Sequence, residues 1–188
     1  MIGTMKSWSL IVFVLLLAAC GESAKVEERD EADIMAERIR AMEDSLFQNM
    51  AFDKRNAQML LDVYKAYAAA NPLDERSPEY LFRAAGVARS MKDPQQSIRL
   101  YDRILVDYPG WEKLPDVYYL KAFVIDSDLG HMGDAREAYR KVIALYPEHP
   151  FAQDARVMIE NLEYTDEELI ERFKKMQAEQ EASGSAGD

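Results

Sequence analysis

The sequence predicts an all-helical fold of consecutive antiparallel helix pairs, and three observations lead there. The first is a repeat: LLDVYKAYAAANP (60–72), SIRLYDRILVDYP (97–109) and AREAYRKVIALYP (135–147) align without gaps, at offsets of 37 and 38 residues. Tyr64, Tyr101 and Tyr139 coincide, as do Pro72, Pro109 and Pro147. A fixed period of this length marks an array of stacked supersecondary units. The second is periodicity, since apolar residues recur three and four apart within each stretch, as Leu60, Val63, Tyr64 and Tyr67 do. That spacing is one face of a helix. The third is the placement of all seven prolines. A helix interior tolerates proline at a cost of roughly 3 kcal/mol, whereas the first helical turn accepts it. Pro72, Pro109 and Pro147 close the repeated helices, and Pro78, Pro94, Pro115 and Pro150 can open others. Ser77 and Asp93 precede two of these and are expected to cap the new helix through their side-chain oxygens. No run alternates apolar and polar residues as a strand would.

Along the chain, the first feature is the apolar run Leu10 to Ala19, which follows Lys6 and ends at Cys20, the single cysteine. Ten apolar residues fall short of the about 20 that a membrane-spanning helix needs. After a basic residue they fit the hydrophobic region of a secretory signal peptide. A lone cysteine can form no internal disulfide, so its place at the end of this run needs another reason. Residues 21 to 33, GESAKVEERDEAD, are polar and acidic, as a solvated tether would be. Met35, Ile39, Met42 and Leu46 then recur at four-three-four spacing, an amphipathic helix ahead of the first repeat.

Partner helices are expected at 78–91 and 115–129, each preceding a repeated helix after a short turn. Ala84, Ala85, Gly86 and Ala88 are small enough to let the second helix of that pair approach closely. A helix over 150–162 carries Phe151, Ala155, Met158, Ile159 and Leu162. TDEELIERFKKM then opens on a capping box, Thr165 with Glu168. The last residues, EASGSAGD, are small and polar and read as a disordered end. The expected organisation is a signal peptide at 1–19, an acidic tether at 20–30, a repeat domain at 31–176 and a disordered tail at 177–188.

Two resemblances follow from these residues. Leu17-Ala18-Ala19-Cys20 resembles a bacterial lipobox, in which the thiol is acylated and the chain is cut before the cysteine, whose new amine is acylated too. Several acyl chains on one residue give stable anchoring where one gives marginal binding. The small residue, the aromatic four positions on and the proline eight further along resemble the tetratricopeptide repeat. The matching residues are Ser97, Tyr101 and Pro109, and Ala135, Tyr139 and Pro147, with Gly130 where that family often has its turn glycine. The unit here is longer than the family's usual one, with additions such as GWEKL (110–114), and Leu60 replaces the small residue in the first repeat. This resemblance implies a solenoid of about three repeats plus a C-terminal helix pair. Together the two features are similar to envelope lipoproteins built from such repeats, including the outer-membrane assembly lipoprotein of the β-barrel insertion machinery. They imply a repeat domain held by lipid at the outer membrane of a Gram-negative bacterium, in the periplasm or at the surface.

Charge and motifs narrow the function. The net charge is −11, and Lys6 is the one charged residue before Cys20, so the remainder carries −12. That excludes a basic footprint for nucleic acid and a basic stripe for anionic lipid. Asp126, Asp128, Gly130, Asp134 and Glu137 fall at loop positions of an EF-hand, but His131 stands where the sharp turn needs glycine. A solvated turn is the better reading, and no metal or cofactor is expected. His131 and His149, the two histidines, lack metal-ligand spacing. No nucleophile motif or phosphate loop is present, and the sequence points away from an enzyme. Repeat arrays present extended concave surfaces, lined in the resembled family by the first helix of each pair. That implies a lining of Glu79, Phe82, Gly86 and Arg89 from one pair and Val117, Leu120, Val124 and Asp128 from the next. Arg99 and Asp102 belong on the solvent side of the repeated helices. The leading expectation is a lipid-anchored adaptor for a protein or peptide partner with basic segments. A glycan-binding lipoprotein and a structural spacer are the alternatives.

Overall fold

A computed structural model describes residues 30–48 and 53–184. The chain divides into Met1–Asp30, which includes Cys20 and lies outside the described residues apart from Asp30, and Glu31–Asp188. Within the second unit the described residues form eight α-helices and no strand. They are α1 (Glu31–Gln48), α2 (Lys54–Ala70), α3 (Ser77–Ser90), α4 (Pro94–Asp107), α5 (Leu114–Phe123), α6 (Met132–Leu145), α7 (Pro150–Asn161) and α8 (Asp166–Gly184). A π-helical turn, Val124–Asp128, extends α5. None of these helices is long and apolar enough to cross a membrane.

Each proline falls at a helix end or in a first turn, as the register requires. Local side chains close several termini. Asp93 accepts from the Gln96 amide at 2.9 Å, and Asp53 caps α2 in the same way through Arg55. The Thr165–Glu168 box forms in both directions, at 2.9 and 3.3 Å. Ser77 does not cap α3. It lies inside the helix and is fully buried, and its hydroxyl donates to the Asn71 carbonyl at 2.6 Å, closing the end of α2 instead. His149 takes the capping role at α7, its Nδ1 accepting from the Phe151 amide at 3.2 Å.

Helices pack as a sequential stack, with α3 between α2 and α4, and α6 between α5 and α7. The larger buried cluster runs from Ala32, Ala36 and Ile39 of α1 through Tyr64, Tyr67, Leu81 and Ile104 to Val117 and Val124. The smaller one gathers Ala122, Ala135, Tyr139, Val142 and Ala155. Small residues allow this approach, since Ala84, Ala85 and Ala88 are all fully buried on α3. The repeated tyrosines are core residues at 1, 3 and 0 % exposure. Each has its own environment: the Tyr64 hydroxyl donates to Glu43 at 2.5 Å, Tyr101 lies edge-on to Phe82, and the Tyr139 hydroxyl donates to Asp126 at 3.2 Å. Burial pushes the Tyr101 hydroxyl up to about 12.

The change of offset from 37 to 38 has a structural cause. Pro78 and Pro115 open α3 and α5 and stand 37 residues apart, whereas the turn residues Lys92 and Gly130 stand 38 apart. Both turn residues adopt left-handed backbone, with φ of 66° and 67°. The additional residue therefore lies between 115 and 130, and the π turn absorbs it. Its wider hydrogen bonding, such as Leu129 N–H to Val124 C=O at 3.2 Å, accommodates one more residue without displacing the following helix.

At the C-terminus, α8 runs to Gly184, past the boundary at 176 expected from composition. Its side chains Ile170, Phe173 and Met176 are exposed and belong to neither buried cluster.

Candidate functional site

Two surfaces of the stack are candidates for docking a partner. One is formed by the first helices α3 and α5, where sequence placed the lining residues. Val117 and Val124 are 0 and 1 % exposed and belong to the core, so neither lines a groove. Leu120 is half-buried against the same core, and Phe82 is half-buried with its ring edge-on to Tyr101 and to Trp111 at 6.0 and 5.7 Å. Gly86 is exposed, and a Cβ there would meet open space.

The charged members of this set are all engaged in ion pairs. Arg89 Nε donates to Asp128 at 2.5 Å, and its guanidinium lies 4.6 Å over the Phe123 ring. Glu79 accepts from Arg83 at 2.9 Å and from Lys113 at 2.8 Å, while Arg83 also donates to Glu43 at 2.7 Å. Burial opposes ionisation of Glu79, yet the hydrogen bonds from Lys113 and Arg83 hold its carboxyl below the usual range. These pairs join α1, α3 and α5 through side chains. Arg89 and Asp128 are thus brought together, but as a clasp between helices.

The second surface lies between α4 and α6, with α5 and the π turn as its floor. It encloses a groove of about 610 Å³. Leu105, Val106, Tyr118, Ile125 and Ala138 supply apolar surface, and Val106 is 77 % exposed. Charges rim it. Lys121 pairs with Asp102, and Lys141 lies 5.1 Å over the Tyr118 ring. With both cations so placed, Asp134 and Glu137 on α6 remain as an acidic edge, and both are exposed. Asp102, expected on a featureless solvent side, therefore stands on the rim of this groove.

This groove escaped the sequence because its parts come from three helices. One signal was available: Val106 is a large apolar residue on the otherwise polar side of α4, where burial in a neighbouring helix does not require it. No cluster of three or more metal-ligating side chains occurs among the described residues. His131 faces Asp134 at 3.6 Å across the turn. The EF-hand-like positions Asp126 and Asp128 are directed to Tyr139 and Arg89.

Residues 79–110 and 116–149 match the tetratricopeptide repeat family. These spans cover the α3–α4 pair and the α5–α6 pair with its π turn, the part of the chain where the repeated tyrosine and proline are most regular. Over these residues the chain carries two tetratricopeptide repeats, and its stacked helix pairs form a helical solenoid of that kind. No curated protein matches the chain. Repeats of this type serve protein–protein interaction, with a stacked surface offering docking area and no catalytic framework of its own.

Proposed function

We propose that this chain is a lipid-anchored adaptor that holds a protein partner at the bacterial cell envelope, docked in the α4–α6 groove. The observation that carries the site is the groove's composition: apolar side chains on its floor, with an acidic edge at Asp134 and Glu137. A segment with large apolar side chains flanked by basic ones is complementary to it, and the net charge of −11 favours approach of such a segment at low salt. The first-helix surface is the weaker candidate, since its charges are engaged between helices and docking there would have to break Arg89–Asp128 or Glu79–Lys113.

The anchor rests on Leu17-Ala18-Ala19-Cys20 at the end of the apolar run. A thioether-linked lipid at Cys20 would fix the chain to the outer membrane, with residues 21–30 as an acidic tether before α1. The resemblance to the assembly lipoprotein of β-barrel insertion makes outer-membrane protein assembly the setting in which a partner is sought first. A photocrosslinking residue in place of Val106 tests the reading in intact envelopes, with Gly86 as the control position. A discrete adduct from Val106 and none from Gly86 is expected. The reverse pattern would move the site to the first helices. Mass spectrometry tests the anchor: the mature chain should begin at an acylated Cys20, and Cys20→Ala should leave the protein unprocessed or out of the membrane fraction.

A further inference from the structure

We propose that the α4–α6 groove also receives α8 of a second copy, so that the chain associates with itself; this rests on the groove being a docking surface. The same chain carries a groove and a helix that fits it, and neither is satisfied. On α8, Leu169, Ile170, Phe173 and Met176 recur three and four apart, and the last three are 53, 53 and 45 % exposed. None of the four packs on either buried cluster. From Ile170 to Met176 the stripe extends about 9 Å at 1.5 Å per residue. At 100° per residue, Arg172 and Lys174 flank it on either side.

The groove offers the complement. Leu105, Val106, Tyr118, Ile125 and Ala138 would receive the apolar stripe, and Asp134 and Glu137 on the rim would face Lys174. Seating an amphipathic helix by its apolar face with charges at the edge is a common docking mode. The chain's own α8 does not fill its own groove, since no residue of α8 lines it. Its departure from α7 is fixed by local contacts: the Thr165–Glu168 box, Arg136 to Glu163 at 3.1 Å, and Arg172 to Glu160 at 3.6 Å with its guanidinium 4.9 Å over Tyr164. With its start held there, the stripe is left facing outward, available to a neighbour. One surface meeting a different one is a heterologous contact, which closes by reciprocal exchange or extends into an open chain.

Sedimentation velocity of the full chain in detergent, over a range of protein concentrations, tests this. The expected result is a species of at least twice the 21.5 kDa monomer that grows with concentration. Ile170→Asp with Phe173→Asp should return the monomer while leaving the helical circular dichroism unchanged, because neither side chain is in a core. Glu137→Lys should weaken association about tenfold, and adding Lys174→Glu to it should restore association. A chain that stays monomeric at every concentration overturns the proposal, as does association that survives both the double aspartate variant and Glu137→Lys. The Val106 crosslink separates this failure from failure of the adaptor reading. Capture of a different protein by a monomeric chain leaves the adaptor standing, and loss of all capture removes the groove itself.

Discussion

The α3–α4 pair and the α7–α8 pair occupy equivalent places in a repeat array but are held by different forces. Helix α3 buries Tyr80, Leu81, Ala84, Ala85 and Ala88 and has a helix on either side. Helix α8 has an apolar stripe of similar size, yet its large side chains remain exposed and its firm contacts lie near its first turns. The reason lies in α7. Its apolar residues Phe151, Ala152, Ala155, Met158 and Ile159 face α5 and α6. On its outward side Gln153, Asp154, Arg156 and Glu160 are exposed and polar, with Val157 the one exposed apolar residue among them. Such a face closes the stack the way a terminal repeat must. Stability of a solenoid is shared between nearest neighbours, so a helix past the closing face retains its local capping and little else.

The comparison predicts unequal costs, greatest in the doubly packed region. Tyr139→Ala and Tyr101→Ala should each lose about 3 to 5 kcal/mol in denaturant unfolding, as buried aromatic truncations do. Phe173→Ala on α8 should change stability by less than about 0.5 kcal/mol in the monomer. A large effect at Phe173 in the monomeric variant background would show that α8 belongs to the cooperative unit.

The two left-handed turns should respond with opposite signs and smaller size. Gly130→Ala puts a side chain at φ +67° and should cost about 1 kcal/mol. Lys92→Gly relieves the equivalent strain at the α3–α4 turn and should gain about 0.5 kcal/mol, the remainder being offset by the greater freedom of glycine in the unfolded chain. Thermal melts of the two variants, compared at one pH, check both signs.

Next in size is the clasp between α3 and α5. Arg89 and Asp128 are both partly exposed, so Arg89→Ala should cost no more than about 1 kcal/mol, and less in high salt. The smallest effect concerns Asp126. Burial raises its carboxyl above the usual range, partly offset by the hydrogen bond from Tyr139. A folded-state value above the unfolded one means that the protonated form is favoured on folding. That contribution is full below the unfolded value and is lost as pH rises through the folded one. Asp126→Asn, which keeps an acceptor for Tyr139, should therefore gain a few tenths of a kcal/mol at neutral pH relative to wild type, and the gain should vanish in acid. Unfolding at several pH values distinguishes this from simple loss of the hydrogen bond.

The sequence by itself determined that α3, α4, α5 and α7 open at their prolines and that α2, α4 and α6 close before theirs, because those limits are local. Proline geometry fixes Pro78, Pro94, Pro115 and Pro150 in first turns, and Asp93 and Thr165 satisfy amides within three residues of themselves. The period and the tyrosine register likewise settled which face of α2, α4 and α6 is buried, since these helices are polar on the opposite side. Helix α5 offered no such guide. LPDVYYLKAF is apolar on nearly every side, so periodicity cannot say which stripe faces inward, and Val117 and Val124, which the family resemblance implies for the lining, are buried in the core. Ser77 shows the same limit at a turn, where its hydroxyl donates to the carbonyl of Asn71, the C-cap of α2, instead of capping its own helix. The offset of 38 told of an additional residue, and only the tertiary structure located it in a π turn. The groove between α4 and α6 also exists only in three dimensions, because its floor and its rim come from helices that packing brings side by side. Helix formation is a matter of neighbours three and four residues apart. Which faces remain open depends on the shapes of elements far apart in the chain.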